Sequence, residues 1–241
     1  IALNLKKTLN RDAVRYYKDL IDKRLRKIPV AYLIGKKDFW KFEFKVDHNV
    51  LIPRPESELI VEEVLKLSKN KSKLQILEIG VGSGCIILSI LKEKKDFYGT
   101  GIDISRKCIK VSGENTLNLN LNNRLKLIKS DVDNFNIGKY DIVISNPPYI
   151  KKLDFKYLEK NVIGFEPKLA LNGGIDGLSE IRKVVFKSSE LIKKNGKLIL
   201  EIAFDQKKEV KKILIKNGFY INKVLKDLAK NDRCIISTKI N

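Results

Sequence analysis

Cysteine and histidine are scarce in this sequence, which has three cysteines and one histidine in 241 residues. Cys85, Cys108 and Cys234 lack the paired spacing of a metal site, and their odd number argues against a disulfide framework. We therefore expect all three to be buried thiols. The single histidine, His48, lies before Pro53 in a predicted hairpin segment, and we expect it to be structural or solvated rather than catalytic.

Long apolar runs are also absent. The longest, residues 74–79 and 85–91, are far shorter than the ~20 residues that cross a bilayer, so no membrane span is predicted. The N-terminus lacks the features of a secretory signal, which makes a cytoplasmic location the prediction. Methionine is missing altogether and the chain opens on Ile1. We therefore expect upstream sequence to be absent and an N-terminal domain to be incomplete.

Acidic residues are few relative to basic ones, 29 against 49, which gives a formal net charge of +20. Such an excess ordinarily suggests a polyanionic partner, because Lys and Arg neutralise phosphates. Only nine of the basic residues are Arg, however, and abundant Lys, Asn and Ile are expected of an AT-rich genome. Two alternatives stay open: a basic surface that favours a ribosomal setting, or a solvated surface set by composition. Nucleic acid is not a required partner.

Residue patterning changes along the chain. A helical stretch at residues 11–26 precedes alternating apolar residues at 39–46, which indicate a β-hairpin. Pro53 and Pro55 then punctuate the chain before the next helical pattern. The predicted organisation is a partial N-terminal helical domain at residues 1–35, a β-hairpin linker at 36–55 and a main domain at 56–241.

Short apolar strands alternate with amphipathic helices from Leu74 onward, which is typical of a mostly parallel sheet covered on both faces. The predicted fold class is therefore α/β, with a seven-stranded Rossmann-like sheet. The connection at residues 150–177 shows no clear strand, and connections of that length are usually lids or binding segments. The predicted strands are residues 74–79, 97–102, 125–129, 140–145, 197–203, 220–225 and 234–239.

A glycine-rich turn follows the first of these strands, in the sequence Glu78-Ile79-Gly80-Val81-Gly82-Ser83-Gly84. Glycines let the backbone turn tightly beside a ligand, and the helix that follows offers free amide donors. Asp103 ends the next strand, about twenty residues further on, where a carboxylate can accept both ribose hydroxyl hydrogens. The pattern predicts a nucleotide-like ligand at this edge of the sheet.

The spacing Gly-x-Gly-x-Gly after an acidic residue resembles the first motif of class I S-adenosylmethionine-dependent methyltransferases. The resemblance implies that Glu78 lies near the amino-acid portion of the cofactor, S-adenosyl-L-methionine. It also implies that Asp131 lies near the adenine amine and the Val132 amide near the ring. The loop residues implied to pass beside the ribose and methionine portions are Gly80, Val81, Gly82, Ser83 and Gly84.

The fourth predicted strand of the main domain runs directly into Asn146-Pro147-Pro148-Tyr149, which places this tetrapeptide beside the cofactor, with Asn146 expected to contact it. A plain turn would also accommodate Asn and two prolines, but it does not require this combination. The nitrogen of an amide or exocyclic amine is a poor nucleophile because its lone pair is delocalised. The Asn146 side-chain oxygen and the Pro147 carbonyl can accept hydrogen bonds from such an NH2 group. Pro148 stiffens the segment and Tyr149 offers an aromatic face for stacking.

The tetrapeptide predicts methyl transfer to a planar nitrogen by direct displacement, which needs no metal. It leaves the acceptor open among adenine in DNA, guanine in ribosomal RNA and glutamine in proteins. The rest of the chain is more selective, because it resembles the peptide chain release factor glutamine N(5)-methyltransferase family over nearly its whole length. The segments that carry this resemblance are Pro29 to Gly35 with Phe39, Leu51 to Glu58, Asn146 to Ile150, Phe165 to Pro167 with Ala170, Leu171 and Gly173, Gly196 to Ile202, and Asp232-Arg233.

The family resemblance implies that the substrate is the Gln of the Gly-Gly-Gln motif in class 1 release factors. Arg54 and Glu56 are expected to shape the entrance for that side chain. Two departures are modest: Ser57 replaces the more usual Thr, and Val81 lies where small polar residues are common. The alternatives are a nucleic-acid amine methyltransferase, which would need a base-flipping or RNA-binding module that we do not find, and a cofactor-binding module without catalysis, against which Asn146 and Asp103 speak.

Overall fold

The computed structural model of the protein describes residues 10–240. Asn10 caps the N-terminus of the first helix, and its side-chain oxygen accepts a hydrogen bond from the Ala13 amide at 2.8 Å. Residues 1–9 of the predicted N-terminal domain lie outside the described residues. The helices are α1 (Arg11–Leu25), α2 (Val30–Ile34), α3 (Glu58–Leu67), α4 (Cys85–Glu93), α5 (Arg106–Asn118), α6 (Lys160–Ile163), α7 (Lys168–Leu171), α8 (Ser179–Leu191) and α9 (Lys207–Lys216).

A two-stranded antiparallel hairpin follows α2 and consists of β1 (Lys36–Phe39) and β2 (Phe42–Lys45). The predicted hairpin is present, but its turn falls at Trp40, which has a positive φ of 56°. The alternating run therefore contributes the turn and the second strand, while the first strand is mostly polar. Phe39 and Phe44 face the main domain with ring centroids 6.2 Å apart, edge to face, and this contact fixes the hairpin against the domain.

The main sheet has seven strands in the order β5-β4-β3-β6-β7-β9-β8. The first five are parallel to their neighbours, whereas β9 pairs antiparallel with both β7 and β8. This confirms the predicted mostly parallel sheet. The strands are β3 (Gln75–Ile79), β4 (Tyr98–Asp103), β5 (Leu125–Lys129), β6 (Tyr140–Ser145), β7 (Ile192–Glu201), β8 (Phe219–Lys226) and β9 (Asp232–Lys239).

Strand β7 begins five residues earlier than the prediction, at Ile192 rather than Lys197. Its first residue pairs with Tyr140, and the register then shifts before Lys197 pairs with Ile142. The intervening residues Lys193 to Asn195 are exposed and polar, so their sequence carries no strand pattern. The other six predicted strands match the structure to within two residues at either end.

Both faces of the sheet are covered by helices, as the strand pattern predicts. Neighbouring residues of β3 enter opposite cores: Ile76 packs with α3 and α4, and Leu77 packs with α8 and α9. Burial of each such side chain contributes roughly 1.5–3 kcal/mol. Two filled cores therefore hold the carboxyl ends of the central strands in fixed positions.

From β3 the strands are added outward on one side, β4 and then β5, and the chain then crosses back to place β6 on the other side of β3. The topological switch point therefore lies at β3, beside β4 and β6. Ligands of open α/β sheets bind at the carboxyl ends of strands at such a point. The connection after β6 contains only short helices and one bridge, between Ile150 and Asn172. Among residues 10–240, no helix has the length and apolar character that a membrane crossing requires.

Candidate active site

A cavity of about 350 Å³ lies at the switch point, at the carboxyl ends of β3, β4, β5 and β6. This volume is in the range of small-molecule sites. Of the predicted site residues, Gly84 and Tyr149 are not part of its lining. Those that line it are Glu78, Gly80, Val81, Gly82, Ser83, Asp103, Asp131, Val132, Asn146, Pro147 and Pro148.

The glycine loop turns sharply between β3 and α4, because Gly80, Gly82 and Gly84 all have positive φ, 78°, 53° and 81°. A Cβ at Gly80 or Gly82 would meet no atom within 4 Å, so these two are required by backbone conformation alone. At Gly84 a Cβ would approach Leu88 Cδ1 to 2.9 Å. Gly84 therefore serves close packing of the loop on α4, and its predicted contact with the cofactor stays a prediction.

Asp103 is held rigidly at the end of β4. Its Oδ1 accepts a hydrogen bond from the Ser105 amide at 2.8 Å, and its Oδ2 accepts one from the Gly82 amide at 3.0 Å. Burial raises the pKa of Asp103, an effect that these two amides oppose. The carboxyl group thus ties the glycine loop to β4, and Asp103 lines the cavity.

Glu78 lies in β3, and its side chain reaches the first turn of α4, where its Oε2 accepts a hydrogen bond from the Ile87 amide at 3.1 Å. The carboxyl group is completely buried, and burial raises its pKa well above the usual value, with the negative charge of Asp103 adding to the effect. A positively charged ligand group would offset that cost. Glu78 therefore favours a cationic ligand in this cavity.

Asp131 and Val132 follow β5 and form the third wall of the cavity. The Asp131 carboxyl caps a short 3-10 turn by accepting a hydrogen bond from the Asp133 amide at 3.1 Å. S-adenosylmethionine carries an ammonium, a sulfonium, a ribose diol and an adenine amine, all of which complement acceptors. The carboxyl groups of Glu78, Asp103 and Asp131 in a cavity of this size fit that group.

The Asn146 side chain is oriented by residues distant in sequence. Its Nδ2 donates to Ser57 Oγ at 3.0 Å, and Ser57 Oγ donates to Glu201 Oε2 at 2.6 Å. The Tyr149 hydroxyl donates to the other Glu201 oxygen, Oε1, at 3.2 Å. Tyr149 thus turns towards β7 and packs on a core, and its predicted stacking role stays a prediction.

Ser57 and Glu201 are site residues that sequence reasoning missed. Both lie in segments that carry the family resemblance, but a serine in a turn and a glutamate at a strand end have no distinctive spacing. The usable signal is a glutamate directly after the apolar run Leu198 to Leu200, where an unpaired carboxylate is costly.

The two predicted entrance residues, Arg54 and Glu56, differ in their position relative to the cavities. Arg54 lines the 350 Å³ cavity and also a second cavity, of about 740 Å³, bounded by α2, β1 and the connection after β6. Its guanidinium forms an ion pair with Glu166, whose Oε2 accepts a hydrogen bond from the Ile52 amide at 3.2 Å. Glu56 is exposed and lines neither cavity. Of these two residues, only Arg54 lines a cavity, and it lines both.

The remaining candidates lie as expected. His48 is exposed in a turn, and the three cysteines are free and buried. Gln206 anchors the backbone of the tetrapeptide. Its Nε2 donates hydrogen bonds to the carbonyls of Tyr149 and Gly177, each at 3.0 Å. This contact joins Asn146-Pro147-Pro148-Tyr149 to the end of the long connection.

Known proteins with related sequences bear on this site. A family model described as the methyltransferase small domain matches residues 55–170. A release factor glutamine methyltransferase of Caulobacter vibrioides is 38% identical over 232 residues, covering 96% of this chain and 80% of that protein. One of Thermodesulfovibrio yellowstonii is 38% identical over 224 residues, covering 92% of this chain and 80% of that protein.

Solved structures share the fold at lower sequence identity. A methyltransferase from Pyrococcus furiosus superimposes with a TM-score of 0.62 at 21% identity, covering 91% of this chain and 99% of that one. A magnesium protoporphyrin IX methyltransferase from Synechocystis PCC 6803, solved with bound S-adenosylmethionine, gives 0.54 at 19% identity, covering 76% and 80%. The sheet thus has the class I methyltransferase fold. The matching family model and the sequences of the relatives make the chain a methyltransferase with S-adenosyl-L-methionine as cofactor.

Within that class, the sequence identity of the relatives and their coverage of the chain decide the family. The chain belongs to the release factor glutamine methyltransferase family. The resemblance expected from the sequence is thereby confirmed.

Proposed function

We propose that this chain transfers a methyl group from S-adenosyl-L-methionine to the side-chain amide nitrogen of Gln in the Gly-Gly-Gln motif of class 1 peptide chain release factors. The observation that carries this proposal is the orientation of Asn146 at the cavity wall. Its Nδ2 donates a hydrogen bond to Ser57, so the atom left to face the substrate amide is the carbonyl oxygen Oδ1. A hydrogen-bond acceptor at this position suits an NH2 group as the incoming nucleophile.

The cofactor would be held by three carboxylates and the glycine loop. Asp103 would accept from the ribose hydroxyls, Glu78 would face the amino-acid portion and Asp131 the adenine amine. When bound, the cofactor supplies an electrophilic methyl group on a sulfonium sulfur. The residues of this chain contribute alignment: they fix the acceptor nitrogen, keep water out and leave the direct displacement to proximity.

The acceptor side of the reaction rests on Asn146 and Pro147. Their oxygens would accept from the two N–H groups of the glutamine amide and draw electron density towards nitrogen. In this displacement the N–C bond would form as the C–S bond of the cofactor breaks, S-adenosylhomocysteine would be the leaving group, and one amide proton would pass to solvent. Because these acceptors are fixed before the substrate arrives, they stabilise the transition state more than the planar ground state.

The polypeptide that carries the glutamine would approach through the 740 Å³ cavity, past Arg54. Its walls come from the N-terminal helical domain, the hairpin linker and the connection after β6. The division into residues 1–35, 36–55 and 56–241 suits this route, since the first two would dock the release factor. We also propose a cytoplasmic location beside the translation machinery, with the net charge of +20 favouring a ribosomal setting.

The test is transfer of labelled methyl groups from S-adenosylmethionine to full-length release factor, with ribosomal RNA and DNA as competing acceptors in parallel reactions. The matched substrate control is a release factor in which the motif Gln is replaced by Glu, which has no amide nitrogen. We expect label on the wild-type release factor only. Label on nucleic acid alone would instead support the alternative, an exocyclic-amine methyltransferase.

A further inference from the structure

We propose that Glu201 is a positioning residue that acts through Ser57 to decide which atom of the Asn146 amide faces the acceptor. The inference rests on the proposed function, because it explains how the acceptor oxygen comes to be presented. The three side chains form one chain of hydrogen bonds from the end of β7, across the turn before α3, to the cavity wall. Glu201 lines neither cavity, so it acts only through another residue.

The orientation of the Asn146 amide follows from which neighbouring groups can donate a proton and which can only accept one. An ionised carboxylate only accepts hydrogen bonds, so both hydroxyls beside Glu201, those of Ser57 and Tyr149, must give it their protons. Having donated its single proton, Ser57 Oγ can only accept from Asn146. The Asn146 atom beside it must then be Nδ2, which leaves Oδ1 to the cavity.

Protonation of Glu201 removes this constraint. A neutral carboxyl group carries its own proton and can donate to Ser57, which frees the serine hydroxyl to donate to Oδ1 of a flipped Asn146 amide. The cavity would then face the NH2 end of Asn146, which repels the NH2 group of an incoming amide. Ionised Glu201 therefore corresponds to the productive arrangement, and neutral Glu201 permits the unproductive one.

The surroundings of Glu201 place this change near neutrality. Burial raises its pKa to about 7, while the hydrogen bond from Ser57, the positive charge of Arg233 and the hydrogen bond from Tyr149 oppose the rise, and the negative charge of Glu56 adds to it. Two thiols lie near Glu201, those of Cys85 on α4 and Cys234 on β9, and burial raises the pKa of both so that they stay neutral.

Substitutions at Ser57 test the link itself. Ser57→Ala removes the relay, and we expect kcat for release factor methylation to fall about 10- to 100-fold, with affinity for S-adenosylhomocysteine unchanged. Ser57→Thr keeps the hydroxyl and should stay within about threefold of the wild type. Ser68→Ala is the matched control, because it deletes a buried serine hydroxyl at the other end of α3 and far from the cavity.

A readout independent of catalysis is the side-chain amide NMR signal of Asn146 in the cofactor-free protein. We expect it to shift with a midpoint near pH 7, as the Glu201 carboxyl titrates. In Ser57→Ala and Glu201→Gln the signal should not follow pH in that range, whereas Ser57→Thr should behave as the wild type. A pH-dependent signal in Ser57→Ala identical to the wild type would overturn the inference.

Failure of this inference is distinguishable from failure of the proposed function. If the wild type methylates no release factor, the proposed function is wrong, but the Asn146 signal still reports whether Glu201 and Ser57 orient the amide. The positioning role is wrong if methylation occurs and Ser57→Ala keeps both the kcat of the wild type and the wild type's fall in activity below pH 7. Reduced affinity for S-adenosylhomocysteine in Ser57→Ala would equally contradict a role confined to the acceptor side.

Discussion

The two sides of the active site are assembled in different ways. On the cofactor side, the hydrogen bonds that fix Asp103 and Glu78 join residues 2, 9 and 21 positions apart in sequence. On the acceptor side, those of Asn146, Ser57 and the Ile52 amide span 89, 144 and 114 positions. The cofactor side is thus a local product of strand ends and turns, whereas the acceptor side depends on segments that only the complete fold brings together.

Because the two sides depend on different contacts, we expect cofactor binding and acceptor orientation to be separable. A change on the acceptor side should lower turnover or stability without affecting cofactor affinity. A change on the cofactor side should lower cofactor affinity while leaving turnover at saturating cofactor largely unchanged. Each substitution below separates the two sides or shows that they are coupled.

The largest expected effect is on Asn146→Ala. Loss of the acceptor oxygen should lower kcat for methylation by about 100-fold or more, because that oxygen fixes the incoming amide. Affinity for S-adenosylhomocysteine, measured by calorimetry, should change less than about threefold. Asn118→Ala, which truncates an exposed asparagine at the end of α5, is the control. Wild-type turnover in Asn146→Ala would refute the role of this residue.

The opposite separation is expected of Asp103→Ala. The Gly82 and Ser105 amides would lose their acceptor, and the dissociation constant for S-adenosylhomocysteine should rise about 10- to 100-fold. At saturating cofactor, kcat should recover most of its wild-type value. Asp133→Ala, an exposed carboxylate on the neighbouring segment, should bind as the wild type does. Unchanged affinity in Asp103→Ala would mean that the loop is held without it.

Glu166→Ala tests the long-range contacts of the acceptor side through stability. Its removal leaves the Ile52 amide and the Arg54 guanidinium without their partner, which should cost about 2 kcal/mol of unfolding free energy in urea. Cofactor affinity should be preserved. Glu209→Ala, which breaks an exposed pair with Lys212, should change stability by less than about 0.5 kcal/mol. Equal losses of unfolding free energy in the two variants would show that the contacts of Glu166 stabilise the fold no more than an exposed ion pair does.

A smaller, pH-dependent effect concerns Glu201. Because its pKa is raised from 4.5 to about 7 in the folded protein, its contribution to stability is complete below pH 4.5 and is lost as pH rises through 7. Stability of the cofactor-free protein should therefore rise as pH falls across this window, while activity falls. Urea unfolding at several pH values should show a weaker rise in Glu201→Gln than in the wild type. An identical pH dependence in the two proteins would mean that Glu201 does not titrate there.

How far the sequence predicts the molecule follows the same division. The strands that end at Ile79, Asp103 and Ser145 are short apolar runs bounded by turns, so their carboxyl ends and the residues there are predictable. The Trp40 turn interrupts an alternating apolar run, and the start of β7 at Ile192 precedes exposed polar residues. In both places tertiary pairing overrides the local pattern.

The site shows the same limit. The glycines were predictable as a set, but only the packing around Gly84 separates its role from those of Gly80 and Gly82. The direction in which Tyr149 points, and its hydrogen bond to Glu201, depend on a partner 52 residues away in the chain. Periodicity and spacing describe local geometry, so they carry no information on such a contact.

The most direct test of the proposed function is tandem mass spectrometry of release factor after incubation with this protein and S-adenosylmethionine, with a parallel reaction that lacks this protein as the blank. We expect one added methyl group on the side-chain amide of the Gly-Gly-Gln glutamine, and none in the blank. A methyl group on another residue, or an unmodified release factor beside methylated nucleic acid, would contradict it.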